Sequence, residues 1–150
     1  MWWQHAKEWA EIAPGFTFVV AVVAGLLAWR QLVLNRANQR ETTAKAAFRE
    51  YLRLAVQYPE VASAKYQDLE GNERERYEWL VGFFLWSAEE LLEFVPTAKV
   101  DLWTANLQMV ADYHRDYFKN CPSFMEKEFH TYSAKTQAII NRAIKSGAGA

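Results

Sequence analysis

Ile12-Ala13-Pro14-Gly15-Phe16-Thr17-Phe18-Val19-Val20-Ala21-Val22-Val23-Ala24-Gly25-Leu26-Leu27-Ala28-Trp29 holds eighteen residues without one charged side chain, and Arg30 follows at once. A bilayer core offers the backbone no water, so a spanning segment must bond its own N–H and C=O groups within an apolar helix. This stretch meets that requirement and decides the fold. It predicts an all-α chain in which one N-terminal transmembrane helix continues into a small cytoplasmic helical bundle. No Gly or Pro stands between Gly25 and Pro59 to interrupt that continuation.

The flanks distinguish an anchor from a cleaved leader. Residues 1–11 read Met-Trp-Trp-Gln-His-Ala-Lys-Glu-Trp-Ala-Glu, aromatic and of both charge signs, where a secretory signal is basic. After the apolar core no Ala-x-Ala cleavage site appears, so a retained anchor is expected. Only Lys7 precedes the span as a basic residue. Arg30, Arg36, Arg40, Lys45 and Arg49 follow it. That asymmetry places the C-terminal side in the cytoplasm of a bacterial inner membrane and the N-terminus outside. Trp2, Trp3 and Trp9 fit an outer aromatic belt, and Trp29 with Arg30 fits the inner boundary. Pro14-Gly15 predicts a break before the span, with residues 2–11 forming a short helix on the membrane surface.

From Pro14 to Trp29 the apolar helix is short, about 24 Å at 1.5 Å per residue. A bilayer core is about 30 Å thick. Arg30 must therefore snorkel while Leu32, Val33 and Leu34 stay in the inner boundary, which extends the span over residues 12–34. Ala21, Ala24, Gly25 and Ala28 form one small face. Their four-residue spacing lets helix backbones approach closely and points to self-association or packing on a partner span.

Residues 35–146 carry a different signature. The chain has 150 residues, a net charge of −1 and 15% aromatic residues. Its mean hydropathy is −0.24 despite the span. Balanced charge gives no basic footprint for nucleic acid, and the aromatic content favours a packed core over disorder. Pro59, Gly71, Pro96 and Pro122 cut this region into lengths suited to helices. We expect a helix over 14–58, a loop with a short turn over 60–72, and helices over 73–94, 100–119 and 123–146. Residues 147–150 form a frayed tail.

Packing positions follow from helical spacing. Ala44, Phe48, Tyr51, Leu52 and Ala55 share a face expected to meet the other helices. The run Trp79–Trp86 is apolar on every side and reads as a central helix surrounded by the rest. Phe124, Phe129, Tyr132, Ile139, Ile140 and Ile144 are core candidates on the last segment. Lys45, Arg49 and Arg53 recur every four residues, where like charges repel. They call for an acidic partner, lipid headgroups or an anionic ligand. Glu89, Glu90 and Glu93 oppose the dipole at the C-terminal end of their own helix, and the basic stripe is their expected partner.

Chemical motifs are sparse. The single cysteine, Cys121, excludes an internal disulfide and a thiolate zinc set, and reads as a buried thiol. Of three histidines, His5 lies before the span, so no three-histidine metal site can form. No Glu-x-x-His pair of the di-iron bundles occurs. Neither His114 nor His130 follows an arginine at the spacing used by the HEPN ribonucleases. P-loops, nucleophile elbows and dinucleotide-binding glycine patterns are missing. A polar site drawn from Glu89, Glu90 and His114 is the one arrangement left for a ligand. No catalytic residue, metal or cofactor is expected.

Phe48-Arg-Glu-Tyr-Leu-Arg-Leu-Ala-Val-Gln-Tyr-Pro-Glu60, followed by Tyr77-Glu-Trp-Leu-Val-Gly-Phe83, resembles a group of small uncharacterised bacterial single-pass inner-membrane proteins with a helical cytoplasmic domain. The resemblance implies location and no activity. The layout is also similar to small membrane effectors of antiviral systems, some of which assemble into rings. Three functions are expected in turn. The first is a self-assembling membrane module, with membrane lipid and further copies as partners and a pore as its extreme form. The second is an accessory subunit of a larger membrane complex. The third is a sensor or enzyme built on the Glu89, Glu90 and His114 region.

Overall fold

The computed structural model describes residues 2–146, with side chains from Phe18 onward. Every regular element among them is helical. The chain divides into two compact units, one ending at Gln39 and one beginning at Arg40. Trp2, Trp3 and Trp9, as membrane-boundary anchors, and the 147–150 tail lie outside the described side chains.

The first unit is a single length of α1, the helix Trp2–Gln57. Its backbone stays helical through Pro14 and Gly15, so the break expected there, which would set residues 2–11 apart as a separate helix, does not occur. Proline removes one N–H bond and fixes a φ the helix already uses, so a strongly helical flank can carry it through. The helix is long and apolar enough to cross a membrane. Its most apolar window has a mean hydropathy of 1.8, and none of that window is buried.

The second unit holds the rest of α1 and five further helices: α2 (Pro59–Ala62), α3 (Gly71–Phe94), α4 (Val100–Tyr113), α5 (Arg115–Asn120) and α6 (Ala134–Ser146). Short 3-10 turns at Tyr66–Asp68 and Thr97–Lys99 lead into α3 and α4. Glu70 is extended, and Gly71 opens α3 at φ +51°, a left-handed conformation that glycine adopts without penalty. The core gathers Phe48 and Tyr51 of α1, Phe84 and Leu91 of α3, Leu107 of α4, Phe118 of α5 and Ile139 and Ile140 of α6. Each fully buried apolar side chain contributes about 1.5–3 kcal/mol before entropy. Leu52 is exposed, unlike its expected neighbours on the packing face.

Arg40 lies over the ring of Phe94 at 5.3 Å, and Tyr51 meets Phe84 at 5.3 Å between ring centres. Residue numbers rise along α1 as they fall along α3, so these two stretches run antiparallel.

Two expected helices are broken. The helix over 100–119 divides at His114, whose φ and ψ of −94° and 10° leave the α region. The helix over 123–146 exists only from Ala134 onward; a π-turn over Phe124–Glu128 and a 3-10 turn over Phe129–Thr131 precede it. Phe124 and Phe129 are both buried. Five residues apart, they would diverge on an α-helix, whereas a π-turn, with its i→i+5 bonding, brings them to one side.

Candidate functional site

The break at His114 carries the most organised polar group in the bundle. His114 is 1% exposed. Its Nε2 is 2.7 Å from the Tyr51 hydroxyl, and its Nδ1 is 3.0 Å from the Tyr77 hydroxyl. A neutral imidazole has one donor and one acceptor nitrogen, so one hydroxyl donates to the ring and the other oxygen accepts from it. Burial pushes the imidazole down from 6.5 to about 4. Burial also raises both phenols above their ordinary range. All three groups therefore stay neutral across physiological pH. The arrangement ties α1, α3 and the α4–α5 joint together with both ring nitrogens occupied. A general base or metal ligand needs a free nitrogen, and His114 has none.

A second buried contact lies nearby. The Tyr66 hydroxyl donates to Glu78 Oε1 at 2.7 Å, and the buried Cys121 Sγ stands 3.5 Å from that hydroxyl.

The polar site expected from Glu89, Glu90 and His114 is not assembled. Glu89 turns to α6, where it accepts a hydrogen bond from the Ser133 N–H at 3.0 Å and another from the Thr136 hydroxyl. A carboxylate at a helix N-terminus satisfies unpaired N–H groups and complements the dipole. Glu89 is thus a cap for a neighbouring helix. Glu90 is half-buried and has no polar partner among the described residues. No cluster of three His, Cys, Asp or Glu side chains that could hold a metal occurs among the described residues.

Nor does the basic stripe reach those acids within the chain. Lys45 bonds to Glu41 one turn earlier, with Lys99 also 3.5 Å from that carboxylate. Arg53 makes a two-point contact with Glu50, Nε to Oε2 at 2.9 Å. Arg49 is exposed and has no ion pair or hydrogen bond among the described residues, and the same holds for Glu93. Local i,i+3 and i,i+4 pairs account for two of the three cations, at a few tenths of a kcal/mol each.

The main surprise is α3. One side of it is fully packed, through Tyr77, Leu80, Val81, Phe84, Leu85, Ala88, Leu91 and Leu92. The other side is open: Trp79 is 74% and Trp86 51% exposed. The helix is therefore not surrounded as its all-round apolarity predicts. Phe83 stacks on Trp86 at 5.9 Å, and between the tryptophans Gly82 faces open space. Beside this face runs a groove of about 520 Å³ lined by Leu54 and Tyr58 of α1, Val61 of α2, and Arg76, Trp79, Leu80 and Phe83 of α3. The signal was present in the sequence, because an all-apolar helix must be covered by something. What the sequence did not reveal is that its own bundle covers only one side.

The small residues Ala21, Ala24, Gly25 and Ala28 are exposed on the first unit, and a Cβ added at Gly25 would meet nothing. Trp29 and Arg30 are exposed as well. No protein-family model, curated protein or solved structure matches the chain.

Proposed function

We propose that this chain is a non-enzymatic, membrane-anchored module that self-assembles, with α1 crossing a bacterial inner membrane once, its N-terminus outside and the bundle in the cytoplasm. One observation carries the reading. Every residue from Phe18 to Arg40 is exposed, while residues from Arg40 onward build a closed core of their own. An apolar helix that its own chain leaves bare is covered by lipid and by other helices. The small face at Ala21, Ala24, Gly25 and Ala28 suits close approach of identical spans. The occupied nitrogens of His114 and the capping role of Glu89 support a structural bundle over a catalytic one.

Fractionation of the expressed full chain tests the anchor. It should stay with membranes through an alkaline carbonate wash, and release into the supernatant contradicts a span. Protease added outside intact spheroplasts should leave a C-terminal tag uncut. A ring of spans would enclose a path through the bilayer. Reconstitution into dye-loaded vesicles reads this out, with release supporting a pore and full retention limiting the assembly to anchoring.

A second reading, an accessory subunit of a larger membrane complex, is favoured by the open aromatic face of α3, since aromatic residues are enriched at protein interfaces. Purification from native membranes separates the two. A stoichiometric foreign subunit supports the accessory role, and recovery of this chain alone supports self-assembly.

A further inference from the structure

We propose that the open face of α3 is the docking site for a second copy of this chain, received through the flank of α1 that carries Lys45, Arg49 and Val56. The contact is head-to-tail, one flank against a different face, so each copy offers both halves and the contact repeats. It rests on the self-assembly reading and specifies how the bundles meet.

Each surface lacks something that the other offers. On α3, Trp79 and Trp86 are uncovered, and Glu90 has no partner among the described residues. On α1, Leu54 and Tyr58 turn toward α3 of the same chain. Val56, at 80% exposure, and the unpaired Arg49 lie on the flank turned away from it. One surface is aromatic and acidic, the other aliphatic and basic. Each is an apolar patch with one charge left unpaired among the described residues, Glu90 on α3 and Arg49 on α1, and these are opposite.

Register strengthens the match. Arg40 is level with Phe94 and Tyr51 with Phe84 in the antiparallel pair. Stepping residue for residue, Lys45 is level with Glu90, Arg49 with Trp86, and Val56 with Trp79. Copies standing side by side in one membrane are related by a rotation about its normal, which keeps each residue at its own height when these helices lie along that axis. The neighbour's Lys45, which also holds its own Glu41, then faces Glu90, its unpaired Arg49 lies over the Trp86 ring as a cation–π contact, and its Val56 packs on Trp79. Arg53 comes level with Gly82, the one position on this face with no side chain to obstruct it. A two-fold about the same axis would instead pair α3 with α3 at equal height, setting Glu90 against Glu90 and leaving Arg49 and Val56 uncovered. Head-to-tail contacts close into rings when the rotation allows.

The test uses the full chain in membranes. Arg53→Cys and Gly82→Cys leave the tryptophans, Lys45, Arg49 and Val56 intact, and the native Cys121 is buried. With a short bifunctional thiol reagent, the double variant should give a ladder of dimer, trimer and higher species. Each single variant should stay unlinked, and a mixture of the two singles should give dimer. Linking of Gly82→Cys to itself overturns the head-to-tail contact in favour of a symmetric one. Absence of linking in the double variant, with the unmodified chain still oligomeric in detergent, overturns this interface and leaves assembly through the span standing. A monomeric unmodified chain overturns both. As a second measurement, Glu90→Lys should weaken assembly several-fold, and adding Lys45→Glu should restore it; no restoration contradicts the pairing.

Discussion

His114 is a histidine whose two nitrogens are both occupied by tyrosine, and that environment has measurable consequences. The folded protein resists the proton that an unfolded chain accepts below pH 6.5. Stability should therefore be constant above pH 6.5 and fall as pH drops toward 4, with a slope of up to about 1.4 kcal/mol per pH unit for one proton. Glu41 and Glu50, held below the ordinary carboxylate range by hydrogen bonds from Lys45 and Arg53, add their losses only below pH 4.5. Thermal melts across this range check the claim, and a flat profile between pH 6.5 and 4.5 would contradict it. Tyr51→Phe strands one ring nitrogen in the core and should cost about 1–3 kcal/mol. Tyr113→Phe, at an exposed position one residue before the histidine, should cost almost nothing. Urea unfolding of both variants gives the comparison. Glu89→Ala removes one part of the capping of α6, the Ser133 hydroxyl still accepting from the Thr136 N–H, and should cost about 0.5–2 kcal/mol, an effect concentrated in faster hydrogen exchange at the start of that helix. If Glu89 were a ligand residue instead, stability would be unchanged or improved.

At the level of elements, the sequence carries most of the helical content and little of what each helix contacts. The starts of α3 and α4, the burial of Phe48 and Tyr51, and the core role of Ile139 and Ile140 follow from spacing and punctuation. Breaks without Pro or Gly do not, because tertiary contacts make them. His114 leaves the helix where its ring reaches two tyrosines that are 63 and 37 residues away in sequence. The π-turn answers the demands of Phe124 and Phe129, which no local pattern announces. The candidate polar site fails for the same reason: Glu89 is close to α6 in space and far from it in sequence. In the long apolar helix, the small face is legible and makes a direct prediction under the self-assembly reading. Gly25→Leu places a bulky side chain where backbones are to approach, with no clash inside its own chain. It should lower the oligomer fraction in detergent while leaving bundle stability within about 0.5 kcal/mol. An unchanged oligomer would move the contact away from this face.

For the whole molecule, two kinds of uncovered apolar surface coexist. The first is the bare helix before Arg40, and the second is the aromatic face of α3. A soluble monomer rarely leaves so much apolar area exposed. In the proposed function, lipid covers the first surface and further copies of the chain cover both. The buried Tyr51–His114–Tyr77 group fastens the part of α1 after Arg40 to α3 and to the α4–α5 joint. The most direct measurement is the mass of the full-length protein in detergent, by light scattering or native mass spectrometry, over a wide range of protein concentration. We predict one discrete multiple of 17.4 kDa that persists on dilution. A particle of monomer mass at every concentration would contradict the account.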